Sequence, residues 1–276
     1  MATTTVGSVD ALSRWEDRRA VPERWRRDAL TEFLGLTEEQ VLASVAGLPE
    51  WVDVLIRIDH ALVGRSEVLF HEVDAARRPS VQLFMRAFGT FRAACRLALS
   101  GQLFESTVLL RSIIESAVYA WKCARSDEHR VAWLGRADDE AGRKASRKLF
   151  AWSPLIQEVI TEYPRFGPAL SEAYEKSIDL GAHPNVEGIQ LNSSVTPKGD
   201  DKFEIQAIFM HGPDAVVLAV LELAKVMNLV YELMCTVVGE RMRILGIDTQ
   251  IQEEAKAFIE QLHRLERDLS QAREKR

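Results

Sequence analysis

Two apolar helical stretches, Val81 to Ser100 and Leu103 to Arg125, stand almost end to end with Gly101 between them. In each, apolar residues recur at the three-and-four spacing of a helix. A link this short leaves one simple way for both to bury their apolar faces, an antiparallel helix hairpin. A third stretch, Ala215 to Val238, is the most apolar in the chain, yet Glu222, Lys225 and Glu232 interrupt it. A lipid-facing span rarely tolerates three charges, so it reads as a core helix that starts at Gly212-Pro213-Asp214 and runs to about Leu245. These helices set the expected class: mainly α, a helical bundle.

The rest of the chain is placed around that bundle. Residues 1–48 read as an N-terminal helical arm. It opens with the Arg-rich "RWEDRRAVPERWRR", in which Pro22 suits a first helical turn. It closes with "GLTEEQVLASVAG", a capping box from Thr37 to Gln40 and a stop at Gly47. The bundle proper spans residues 49–247, beginning with a helix from Glu50 to about Arg77 that Pro79 ends. Residues 127–150 read as a more polar helix. Ser153-Pro154 caps a short one, and Pro168 opens another that runs to about Leu180. The period then changes. "GIQLNSSV" and "KFEIQAIF" alternate with period two around "TPKGDD", which predicts a small inserted β-hairpin at about 188–209. Asp248 begins a charged, coiled-coil-like helix over 248–276. Its seam of Ile251, Ala255, Phe258, Leu262, Leu265 and Leu269 is suited either to packing back on the bundle or to pairing two copies as a homodimer.

Composition removes several function classes. A net charge of -6 and a pI near 5.6 do not suit a duplex-DNA binder, which needs a broad basic surface; a local basic groove for RNA stays open. Cys95, Cys123 and Cys235 are odd in number and far apart, as expected of reduced, buried thiols. The opening MATTTVGSVD lacks the basic and apolar regions of a secretory signal, so a cytoplasmic protein without membrane contact is expected. There is no Gly-x-x-x-x-Gly-Lys loop, no GxGxxG, no GxSxG and no HExxH. The single Glu260-x-x-His263 is half of what a di-iron bundle uses. Neither a metal nor a cofactor is expected.

Two places carry candidate chemistry. In "LFESTVLLRSIIESAVYAW", Arg111 and Glu115 share a sector with Phe104, Val108 and Val118, while Ser112, Ser116, Glu105 and Tyr119 form a polar strip. Arg before Glu at i,i+4 is the weaker order for a local pair, and burying both charges costs several kcal/mol each, roughly, unless their hydrogen bonds are completed. The pair therefore fits a packing network, a functional site, or a pair facing a cleft. The second place is "KSIDLGAHPNVEG". Gly181 can end a helix, and the residue before a proline is pushed out of the α region, so His183 is expected to be extended just past a helix C-terminus. The helix dipole and Asp179 there favour an imidazolium. Lys176 lies about two turns back on the same helix. An incidental turn histidine fits the same residues.

"LLRSIIESAV" on one helix with "AHPN" after a later one resembles bacterial all-helical proteins that pair an Arg-x-x-x-Glu helix with a His-Pro or His-Ser turn. Some of these are similar in outline to HEPN domains, compact bundles that often dimerise. Many HEPN proteins are metal-independent ribonucleases of toxin and phage-defence systems, marked by Arg, four to six residues, then His. The resemblance covers roughly residues 80–245. The matching spacing before His183 is Lys176-x6-His183, with lysine in place of arginine; a literal match, Arg65-x5-His71, lies on the third helix. The resemblance implies His183 as general acid or base, Arg111 or Lys176 as the cation facing phosphate, and Glu115 as the group that orients them. The competing expectation is a non-catalytic helical interaction or scaffold protein acting as a dimer.

Overall fold

The computed structural model describes residues 25–63, 66, 70–71, 73–182 and 186–274. The architecture is mainly α, a helical bundle with a small two-stranded antiparallel sheet. Helix α1 (Ala29–Gly47) leads into α2 (Pro49–Ile58), which widens into a π turn at Asp59–Val63. The long pair α3 (Arg78–Leu99) and α4 (Leu103–Arg125) forms the expected hairpin. Gly101 makes it possible: at φ 78° it turns the chain in the left-handed region, while Gly101 N–H donates to Ala98 and Gln102 N–H to Leu97.

Short helices follow: α5 (Asp127–Leu134), α6 (Glu140–Leu149), α7 (Trp152–Glu162) and α8 (Gly167–Ser177). A second π turn, Ile178–Ala182, extends α8. Then come α9 (Val186–Leu191), strands β1 (Ser193–Gly199) and β2 (Lys202–Ala207), and the long α10 (Pro213–Ile244) and α11 (Asp248–Glu274). The core lies where α4 and α10 meet each other and α3. Phe84, Phe88 and Phe91 of α3, Ile113, Ile114 and Trp121 of α4, and Leu223, Met227, Val230 and Met234 of α10 fill it. Among the described residues no helix is long and apolar enough to cross a membrane.

Several expected boundaries move, each for a local reason. The first helix does not begin at Thr37. Asp28 caps it instead, accepting from Thr31 N–H at 2.9 Å, and buried Thr37 sits inside it with its hydroxyl donated to Leu34. The Arg26 side chain folds across Gly35 in mid-helix, where a Cβ would lie 2.4 Å from the guanidinium Nε. Pro79 stands at the start of α3 rather than at the end of the preceding helix, as suits a residue without an N–H. The polar stretch 127–150 is two helices, broken by a 3-10 turn at Gly135–Ala137 and restarted by the Asp139 cap on Gly142 N–H. "GIQL" belongs to α9, so the hairpin is shorter than 188–209. Pro22 and Arg65 lie outside the described residues.

Of the two outcomes open to the C-terminal seam, the structure shows the intrachain one. Ile251, Ala255, Phe258, Leu262 and Leu265 are all buried, and α11 packs on α2 and α10. Gln261 fastens it, donating to the Glu50 carbonyl at 3.1 Å and to Asp53 at 3.0 Å. A second copy would have to meet residues 248–276 through their outward face.

Candidate functional site

Helix α4 presents Arg111 and Glu115 at the edge of the core, not inside it. Both side chains are 29% exposed, and Arg111 Nε donates to Glu115 Oε1 at 2.9 Å. The neighbouring Val108 is exposed too, whereas Phe104 and Val118 of the same sector are buried, so the ion pair marks the border between core and solvent. The expected polar strip is partly internal: Ser116 is buried and returns its hydroxyl to the Ser112 carbonyl at 2.6 Å.

The pair is held from α8. Tyr174, only 3% exposed, donates its hydroxyl to the same Glu115 Oε1 at 3.1 Å, and the Arg111 guanidinium stands over its ring at 5.3 Å. The Tyr174 ring stacks on Trp152 of α7 with centroids 3.7 Å apart. Beyond lies a second aromatic group of Tyr119, Trp133 and Phe150, with ring centroids 5.2 to 5.5 Å apart. Cation–π contact, stacking and a charge-assisted hydrogen bond thus fix one guanidinium in one orientation. Burial, with the Glu115 carboxylate next in effect, pushes the Tyr174 phenol up to about 12. The hydrogen bond to Glu115 raises Arg111 further. Tyr174 is therefore a neutral donor and Arg111 a permanent cation.

The chain leading toward His183 is tied to the same helix. Thr107, fully buried, shares its hydroxyl proton between the Phe104 carbonyl at 2.8 Å and the Leu180 carbonyl at 3.2 Å, the latter within the π turn that packs along α4. Thr107 lies one turn before Arg111. His183 and Asn185 themselves lie outside the described residues.

Lys176 is not brought to Arg111. Its ammonium pairs with Glu222 of α10 at 2.8 Å. Two residues advance a helix by about 200°, so Lys176 and Tyr174 leave α8 on opposite sides. His71 accepts from Arg241 at its carbonyl and so is engaged through its backbone. Tyr174, Trp152 and Thr107 went unread in the sequence. Nothing local distinguishes them, because each gains its role from another helix. Lys122 was missed for the same reason: it is nearly buried on α4, and its ammonium meets Glu158 of α7 at 2.8 Å. Among the described residues no group of His, Cys, Asp and Glu is arranged to hold a metal ion. No protein-family model matches the chain, and neither curated proteins nor solved structures give a significant match to it.

Proposed function

We propose that this chain is a HEPN-like helical protein that cleaves RNA without a metal, in the setting of a toxin or phage-defence system. The observation that carries the reading is the Thr107–Leu180 hydrogen bond one turn from a fixed, solvent-reaching arginine. The contact holds Leu180, three positions before His183 in the sequence, against the helix that carries Arg111. In this reading His183 takes the proton of a ribose 2′-hydroxyl, the 2′-oxygen attacks phosphorus, and the bond from phosphorus to the 5′-oxygen breaks, that oxygen taking its proton from water. Arg111 holds the charge that gathers on the phosphoryl oxygens, while Glu115 and Tyr174 keep the guanidinium in place. Lys176, paired with Glu222, is left outside the chemistry.

The test is cleavage of single-stranded RNA in EDTA by wild type, His183→Ala, Arg111→Ala and Lys176→Ala. Loss of about 10²-fold or more is expected for the first two variants and little for the third. No cleavage by wild type, or equal cleavage by His183→Ala, overturns the reading.

A second reading, a non-catalytic interaction protein, has its own support in the hairpin. Val195 pairs with Ile205 and Pro197 with Phe203, so one face of the sheet is apolar. Val195, Phe203 and Ile205 are all more than half exposed. A solvated apolar sheet face of this kind is a usual place for a protein partner to add a strand or cover the surface.

A further inference from the structure

A cavity of about 360 Å³ lies at the start of α3, closed by the ends of α4 and α10 and by α5. It meets α4 at Ala124, thirteen residues beyond Arg111, or about 20 Å along the helix, so it is separate from the site above. Its polar lining is Arg77, Ser80, Arg130, Arg241 and Asp74. Three guanidiniums thus stand against one carboxylate.

Among the described residues, two polar atoms there lack partners. Ser80, 2% exposed, has a buried Oγ with no hydrogen bond, and the Nε of Arg241 is buried and likewise unpaired among the described residues. Burying a hydroxyl and an edge of a guanidinium without acceptors is unfavourable, and such groups in a native fold call for an explanation. The remaining contacts do not supply one. Arg241 donates through Nη2 to the His71 carbonyl, and Arg77 lies 3.7 Å from Asp74. Arg130, 17% exposed, pairs with Asp127, which is itself in solvent. The first turn of α3 adds little to the field, because the Asp74 carboxylate accepts from Arg77 N–H at 2.8 Å, its carbonyl accepts from Arg78 N–H, and Pro79 brings no N–H of its own. The opposite walls are apolar, with Phe84, Val81, Val237 and Val238 among them.

We infer that this cavity binds a small organic anion, with a phosphate or carboxylate head between Arg241, Arg130 and Ser80 and an apolar body against Phe84 and Val238. An anion accepts from the orphaned Arg241 Nε and Ser80 Oγ together, and a guanidinium pair is the usual means of gripping either head group. The volume suits a body of about one ring.

Isothermal titration of the full chain with phenyl phosphate, benzoate and inorganic phosphate tests this. One site per chain is expected for phenyl phosphate or benzoate, at least tenfold tighter than for inorganic phosphate, and the stronger of the two identifies the head group. Arg130→Gln and Arg241→Gln should each weaken it tenfold or more, and Ser80→Ala several-fold. Ser80→Ala removes no existing hydrogen bond, so it keeps the test open if an arginine variant unfolds; unliganded melting midpoints check each variant. Absence of binding by all three probes, inorganic phosphate binding as tightly as the aromatic anions, or unchanged affinity in folded variants overturns the inference.

Discussion

Tyr174 does three things with one side chain. It donates to Glu115, offers its ring face to Arg111 and stacks on Trp152. Replacing it with Phe keeps the ring contacts and removes only the hydroxyl. At neutral pH the loss should be about 1.5–3 kcal/mol, the worth of one hydrogen bond to a charged group. The pH dependence is more specific. With its folded pKa raised to about 12, Tyr174 keeps its proton where an unfolded tyrosine, near 10, has released it. Between those values the folded state binds more protons, so stability present below pH 10 is lost as pH rises toward 12. Urea midpoints across this range should fall less steeply in Tyr174→Phe than in wild type; identical slopes would show that the phenol is not held as described. This residue also marks the limit of reading a site in sequence. Arg111 and Glu115 are four apart on one helix, so their contact is a property of the helix and was legible. Tyr174 reaches them from 59 residues away, and no spacing rule connects them.

At the scale of elements, legibility follows whether a boundary is made locally. The α3–α4 turn was readable because Gly101 alone supplies its left-handed backbone. What the sequence could not reveal is that this turn also serves as a support. His211 N–H donates to the Gly101 carbonyl at 2.8 Å, and a Cβ on residue 101 would stand 2.6 Å from the His211 carbonyl. Gly101→Ala therefore meets both a strained φ and a backbone clash, and should cost about 1–3 kcal/mol. The comparison is Gly47→Ala, where the added methyl meets nothing within 4 Å. A chemical denaturation midpoint unmoved in Gly101→Ala would mean that the segment before α10 does not rest on the turn. Boundaries set by tertiary packing were the ones misplaced. Thr37 has the composition of a cap, but Asp28 takes that role through its reciprocal bonds with Thr31, and Thr37 lies buried inside the helix. The two π turns had no signature either. Each widens a helix where a long-range contact holds it: Arg92 forks onto Asp59 at 2.7 and 2.9 Å, and Thr107 holds Leu180.

For the whole molecule, the division between what is packed and what is not decides how function is tested. The C-terminal helix is packed. Phe258 is fully buried in the common core, so Phe258→Ala should cost about 3–5 kcal/mol in thermal or denaturant unfolding; a near-neutral result would mean that α11 is not docked. The hairpin is the opposite case. Its strands are exposed on nearly every residue, its ladder closes where Ile208 N–H donates to the Asn192 carbonyl at 2.8 Å, and just beyond it Phe209 meets Phe33 of α1 edge-on. Period-two alternation made it legible as a hairpin, but alternation normally means one face is buried, and here neither is. A lone two-stranded sheet is marginal in water, so the hairpin adds little to the stability of the bundle. Replacing residues 193–207 with a Gly-Ser turn should leave the melting midpoint of the bundle essentially unchanged. RNA cleavage should survive the same replacement if the Arg111 site is the active one, whereas binding to a partner of the second reading should vanish. One variant therefore separates the two readings, because the first rests on residues of the bundle and the second on residues of the hairpin.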